Sequence, residues 1–400
     1  MKNIFIKSSV LIVVLFLLVT CSKSGEDVAI VKYNLNVIIS PENSGTVTPS
    51  NGSFEEGSTI NITGIPSSDY TFKEWKGDVT GTTNPMTVTM NSNKIITVVF
   101  EGKDVDGDGV MDSVDTCSDT PSGETVDSNG CSESQLYTSI PDSNFEKALY
   151  DENIGYQMDN RILTSYIKNI KVLHINNRGI KDLTGIEGFT SLEKLYITGN
   201  EISELDLSNN PNLIYLNVQN NNLSSLNISE NTLLTYLYCN GNQLTSLDLS
   251  NNSELIDLYV DDNKIKNLEV SNKHQLFWLG CYNNELTSLV IENNPKLINI
   301  VCYGNKLTDL DVSSNASLEY LYTPDNELKN INVSGLNFLG SLDCQRNLLT
   351  SLDVSTNNSL DNLVCLDNNI NCIQVSQAQI NSIPIDWYKD IGSSYSLNCN

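Results

Sequence analysis

An asparagine recurs at Asn200, Asn221, Asn242, Asn263, Asn284, Asn305, Asn326, Asn347 and Asn368, nine positions at an unbroken spacing of 21 residues. A fixed period of that length marks a chain wound into stacked coils, because each unit can bury its apolar residues only against its neighbours. Aligned on the asparagine, the units read LxxLxLxxNxLxxLxLSxNxx, with apolar residues at −8, −5, −3, +2, +5 and +7. The asparagine amide donates and accepts at once, so it can satisfy a turning backbone and stack into a ladder along the axis.

The LxxLxLxxN core of these units resembles the leucine-rich repeat, and residues 171–371 are assigned to it. The resemblance implies a right-handed solenoid with a parallel sheet along one side, within a multidomain, β-dominated chain. Residues 135–170, with "IPDSNFEKALYDEN", resemble the helical cap that opens bacterial repeat domains, Phe145, Ala148 and Leu149 sharing one helical face. Arg178 stands where the first, irregular repeat would carry asparagine. Residues 372–400 lose the apolar period and are read as a C-terminal cap in which Trp387, Tyr388 and Tyr395 cover the last coil.

The period sorts the cysteines. Cys239, Cys281, Cys302, Cys344 and Cys365 all fall at −3, where Ile197, Val218 and Val260 stand in other coils, so they are expected in the core as small hydrophobes. A disulfide between neighbours such as Cys281 and Cys302 requires converging rotamers. Cys117 with Cys131, and Cys372 with Cys399, are placed to form disulfides in an oxidising compartment.

Side chains alternate across a strand, so positions −6, −4 and −2 face out from the parallel sheet. In seven consecutive coils they carry Tyr196, Tyr215, Tyr236, Tyr238, Tyr259, Trp278, Tyr282, Tyr303, Tyr320 and Tyr322. At about 4.8 Å per strand the patch runs roughly 30 Å. A solvent-facing aromatic patch of this extent marks a binding surface. A cross-strand ladder that merely stabilises the sheet is the other reading. Asp257 and Asp261 beside Tyr259 add acidity suited to a cationic or hydroxyl-rich ligand, and both are expected to be solvated on an open sheet.

The chain begins with Lys2 and Lys7, the apolar run "VLIVVLFLLV" and then "LVTC". This is a secretion signal, residues 1–20, and its end resembles a bacterial lipobox, which implies cleavage before Cys21 and acylation of its thiol. Ser22 after that cysteine and the run "SKSGED" in the 21–32 linker resemble lipoproteins sent to the outer membrane and the cell surface in Bacteroidetes-type bacteria. Residues 33–101 alternate in short β-strand runs split by Gly, Pro and Asn. Their "FKEWKGDVTG" resembles the divergent internalin B-repeat module, in which Trp75 would be a core residue of a spacer.

In residues 102–134, Asp104, Asp106 and Asp108 alternate ahead of Gly109; Val110 can offer a carbonyl, and Asp112 and Asp115 complete a hard oxygen set suited to Ca²⁺. The order follows an EF-hand loop except that Asp115 replaces the usual glutamate. The later "DTCSDTPSGETVDSNGC" resembles a thrombospondin type 3 repeat, implying a linker stiffened by calcium and a disulfide.

A formal charge of −26 repels a phosphate backbone, so nucleic acid is not an expected partner. Two histidines, no GxSxG or HExxH motif and no isolated carboxylate pair argue against an enzyme. The expected role is a lipid-anchored surface protein that binds a protein ligand on its aromatic strand face. Glycan capture by the same face, or a non-binding envelope role, are the alternatives.

Overall fold

The computed structural model describes residues 29–155 and 157–399. The secretion signal, Cys21 and most of the 21–32 linker lie outside the described residues. The chain divides into two compact units, the first closing at Gly123 and taking in Ser128–Gly130, the second made of Glu124–Asp127 and the chain from Cys131 onward. The acidic 102–134 segment is therefore shared between units instead of standing alone.

In the first unit, strand Lys32–Ser40 lies at the middle of a four-stranded sheet, pairing antiparallel with Gly52–Glu55 and parallel with Lys94–Gly102, which in turn pairs with Tyr70–Gly77. Gly45–Thr48, Thr59–Pro66 and Met86–Thr89 form a second, three-stranded sheet. Alternating Leu35, Ile62, Val88, Ile96, Val98 and Phe100 fill the space between them. Trp75 is fully buried there, its indole N–H donating to the Thr83 carbonyl at 3.0 Å. It is a core residue, as its setting in the sequence suggests.

The second unit is a solenoid built on an eleven-stranded parallel sheet that runs from Val172–His174 to Trp387–Tyr388. Every apolar position of the 21-residue unit points into one continuous core. The asparagine ladder forms as expected. Asn242, for example, donates its amide to the carbonyls of Val218 and Cys239 at 2.9 and 3.0 Å and accepts from the Leu223 amide of the preceding coil at 3.0 Å. A second ladder of Asn210, Asn231, Asn252, Asn294, Asn315 and Asn357 ties the opposite side, each amide donating to carbonyls of neighbouring turns. Lys273 interrupts that second ladder and is buried in it.

The N-terminal cap is mixed where a helical cap is expected. Helix Ser143–Asp151 buries Phe145, Ala148 and Leu149 and is capped by Asp142, whose carboxylate accepts from Asn144 and Phe145. Strands Tyr137–Ser139 and Arg161–Leu163 pair beside it. Arg178 keeps its backbone in the ladder, its N–H donating to Asn200 Oδ1, and turns its guanidinium to Asp151 and Glu152.

Residues 372–400 do more than cover the last coil. Trp387–Tyr388 adds a strand to the parallel sheet and Ser394–Ser396 pairs with Cys372–Gln374 on the other side, so the segment completes a further coil. Trp387 and Tyr395 pack on the core, whereas Tyr388 is exposed. Cys372 and Cys399 are joined, with Cα atoms 5.7 Å apart.

Candidate functional site

Strand register brings the ten outward aromatics onto one face. Tyr215 lies opposite Tyr236, Tyr238 opposite Tyr259, and Asp257 opposite Trp278. The rings form a row along the solenoid axis, Tyr196 tilted against Tyr215 at 4.6 Å, Tyr215 tilted against Tyr238 at 5.3 Å, and Tyr238 stacked on Tyr259 at 5.1 Å and Tyr259 on Trp278 at 6.0 Å. Tyr236 leans on Tyr215 at 5.9 Å, and Tyr282 and Tyr303 form a separate stack at 4.5 Å. His174, which the sequence pattern does not single out, extends the row by stacking on Tyr196 at 4.1 Å.

These contacts change the character of the patch. Tyr320 is exposed and Tyr322 half-buried without a ring contact among the described residues, but the other eight rings are half-buried against one another, so the face is less open than strand alternation alone suggests. Rings at these spacings, some stacked and some tilted, cover part of one another's faces. What they offer outward is ring edge and hydroxyl, and burial raises the Tyr259 and Tyr282 hydroxyl pKa values to about 12, keeping them as neutral donors.

The electrostatics depart from expectation at one place. Asp261 is not solvated: only 1% of it is exposed, and its Oδ1 accepts from the Tyr282 amide at 3.2 Å. Burial outweighs that hydrogen bond and pushes the carboxyl up to about 7. Asp257 is half-buried and also raised by desolvation. Gly280 explains how the carboxylate tucks in, since a Cβ there would stand 2.8 Å from Asp261 Oδ1 and 3.1 Å from the Tyr259 ring. The signal was present in the repeat. Among the nine ladder coils Asp261 is the lone charged residue at −2 and Gly280 the lone glycine at −4.

The five in-phase cysteines are all buried and free, as their shared phase predicts. Burial drives the Cys239 and Cys344 thiols well above their ordinary range, which makes them inert as nucleophiles. Cys281 and Cys302 touch through their sulfurs without bonding covalently. Cys117 and Cys131 are each disulfide-bonded.

In the acidic segment, ligand atoms of Asp104, Asp106 and Asp108 lie within 4.8 Å of one another. Backbone amides order them: Gly107 and Gly109 donate to Asp104, Thr120 to Asp106 and Val110 to Asp108. Asp108 Oδ2 is buried without a partner, and a Cβ on Gly130 would meet both it and Asp115. Asp115 Oδ1 and Asp108 Oδ2 thus both border Gly130, while Asp112 turns to the Val105 amide at 2.9 Å. An all-oxygen set with one orphaned buried carboxylate oxygen fits a hard divalent cation.

With the two units laid out, their likenesses to known proteins fall on separate stretches. Residues 35–104 match the Divergent InlB B-repeat domain, and residues 168–210 match Leucine Rich repeats (2 copies). No curated protein matches the chain. Among solved structures, the functional domain of InlJ from Listeria monocytogenes, described as including a cysteine ladder, is 34% identical with a TM-score of 0.52. That match covers 64% of this chain and 62% of the InlJ chain, and the in-phase cysteines here parallel the feature its description names. Internalin C2 from Listeria monocytogenes is 23% identical over 51% of this chain and 95% of its own, with a TM-score of 0.45. The FLRT2 (LRR) complex with Latrophilin 3 and Unc5D is 19% identical over 55% of this chain and 83% of its own, with a TM-score of 0.42. The chain has an internalin-like leucine-rich-repeat fold preceded by a B-repeat-type β domain. Folds of this kind serve generally as protein-binding modules, and neither family match is catalytic.

Proposed function

We propose that this is a cell-surface lipoprotein that binds a protein ligand through the aromatic face of its parallel sheet. The observation that carries the reading is the continuous row of half-buried rings from Tyr196 to Trp278, which offers hydroxyls and ring edges along five adjacent strands. Tyrosine and tryptophan supply large contact area at small entropic cost and dominate protein interfaces. Because neighbouring rings from Tyr196 to Trp278 cover part of one another's faces, that stretch suits side chains and backbone of a protein better than flat stacking of sugars.

The rest of the reading follows the order of the chain. Acylation at Cys21 anchors the protein to the outer membrane, the B-repeat-type domain and the acidic segment separate anchor from solenoid in sequence, and Ca²⁺ held by Asp104, Asp106, Asp108 and Asp115 stiffens that segment. The ion's role there is structural: it offsets mutual repulsion among the carboxylates.

The test is a binding screen of residues 22–400 in calcium against extracellular-matrix and host-surface proteins and glycan arrays, run beside a Tyr238→Ser, Tyr259→Ser, Trp278→Ser variant. The account expects a saturable protein hit that the variant loses. A hit that survives in the variant moves the site off this face, and hits confined to glycans replace the protein ligand with a sugar.

A further inference from the structure

Between Tyr196 and Tyr303 the ring row is interrupted at one place, which coincides with the buried carboxylate. Tyr259 stacks on Trp278 and Tyr282 on Tyr303, but among the described residues no ring pair joins the two stacks. Gly280 stands opposite Tyr259 at the break, and Asp261 fills the space that a side chain there would take. A carboxylate out of water and without a cation is costly in a fold. Among the described residues no ion pair reaches Asp261 or Asp257, and the outward positions of the six coils from Tyr215 to Pro324 carry no lysine or arginine. The break is therefore an aromatic-walled, acidic spot in a row that is otherwise neutral. Trp278 adds an indole N–H that is buried without an acceptor.

Resting on the aromatic-face reading, we propose that this break anchors a basic side chain, lysine or arginine, of the protein partner, seated between the Tyr259–Trp278 and Tyr282–Tyr303 ring pairs beside Asp257 and above Asp261. Aromatic walls attract a cation through the ring quadrupole, and arginine also lies flat against rings. A buried carboxylate acts through a low dielectric, so its charge is felt more strongly than that of the many solvated acids elsewhere on the chain.

The same geometry links binding to pH. The groups facing Asp261 are Asp262 and Tyr259 from its own coil, Cys239 from the preceding coil, and Cys281, Tyr282 and Tyr303 from the following ones. The thiols and phenols stay neutral near pH 7, so Asp261 is the group whose charge changes there. Its protonation removes the anion under the cation.

The experiment titrates the full chain with fluorescein-labelled hexa-arginine, hexa-lysine and hexa-glutamate peptides at pH 8 and pH 6. It compares wild type with Asp261→Asn and with Asp311→Asn, which removes an exposed carboxylate outside the parallel sheet. The proposal expects a basic peptide to bind at pH 8, to weaken about ten-fold in Asp261→Asn and at pH 6, and to be little changed in Asp311→Asn. The Asp261→Asn variant itself loses its pH response. The arginine and lysine arms decide which cation is preferred. Equal weakening by the two substitutions, or no binding of either basic peptide, overturns the proposal. A screened protein partner lost on the tyrosine and tryptophan changes but indifferent to Asp261→Asn sinks this inference and leaves the aromatic face standing.

Discussion

Ionising Asp261 in place works against the folded solenoid. Its carboxyl titrates near 7 when folded and near 3.8 when not, so between those values the folded chain holds a proton that the unfolded chain has released. Stability must fall as pH rises across that interval and level off above it. Asp261→Asn is expected to raise the melting temperature at pH 8 and to change it little at pH 4, the shift setting an upper bound of about 4 kcal/mol. Thermal melts in which the variant gains equally at both pH values contradict the assignment. Asn284 works the other way. Its amide donates to the carbonyls of Val260, Cys281 and Tyr282 and accepts from the Ile265 amide, all inside the coil stack. Asn284→Ala leaves several buried groups unpaired and should cost about 2–4 kcal/mol in urea denaturation, with ligand affinity unchanged at temperatures where the variant is folded. Cys239→Val should lie within about 1 kcal/mol of wild type, because Val218 and Val260 fill the same position in adjoining coils. The burial of the cysteines was legible because they share one phase. The burial of Asp261 is legible only when two coils are read together, since alternation alone turns it outward and the absence of a side chain at Gly280 in the next strand is what lets it fold under.

At the scale of elements, the parallel sheet was legible from the period and the ends were not. The last coil escapes the pattern because helix Gln377–Asn381 lengthens it, so that Leu363 pairs with Trp387 in place of a residue 21 positions on. There Gln379 takes over the ladder role, donating to the carbonyls of Val354 and Asn357. A longer amide reaches where the backbone stands farther off, and no 21-residue template finds it. The acidic segment carries its own prediction. Asp104, Asp106 and Asp108 crowd together with one buried oxygen unsatisfied, so chelation of Ca²⁺ should loosen residues 104–130 and open them to protease while the solenoid stays resistant. Identical cleavage of that segment with calcium and with a chelator contradicts a metal role.

Across the whole molecule, two units differ in sequence pattern, a β domain of alternating short strands and a solenoid of 21-residue coils, and the proposed binding face belongs to the second. The charge of −26 bears on how that face finds its ligand. A basic partner would be steered in, and its association rate should fall as salt rises, with the dissociation rate changing far less. The central claim is that the aromatic strand face is the binding surface. Hydroxyl-radical footprinting of the chain with its protein partner tests it most directly, because oxidation of each tyrosine reports its own contact. The account predicts protection of Tyr215, Tyr238, Tyr259, Trp278 and Tyr282 in the complex, with Tyr33, Tyr70 and Tyr388 unchanged. Protection confined to residues outside the parallel sheet, with those five oxidised as in the free protein, would contradict it.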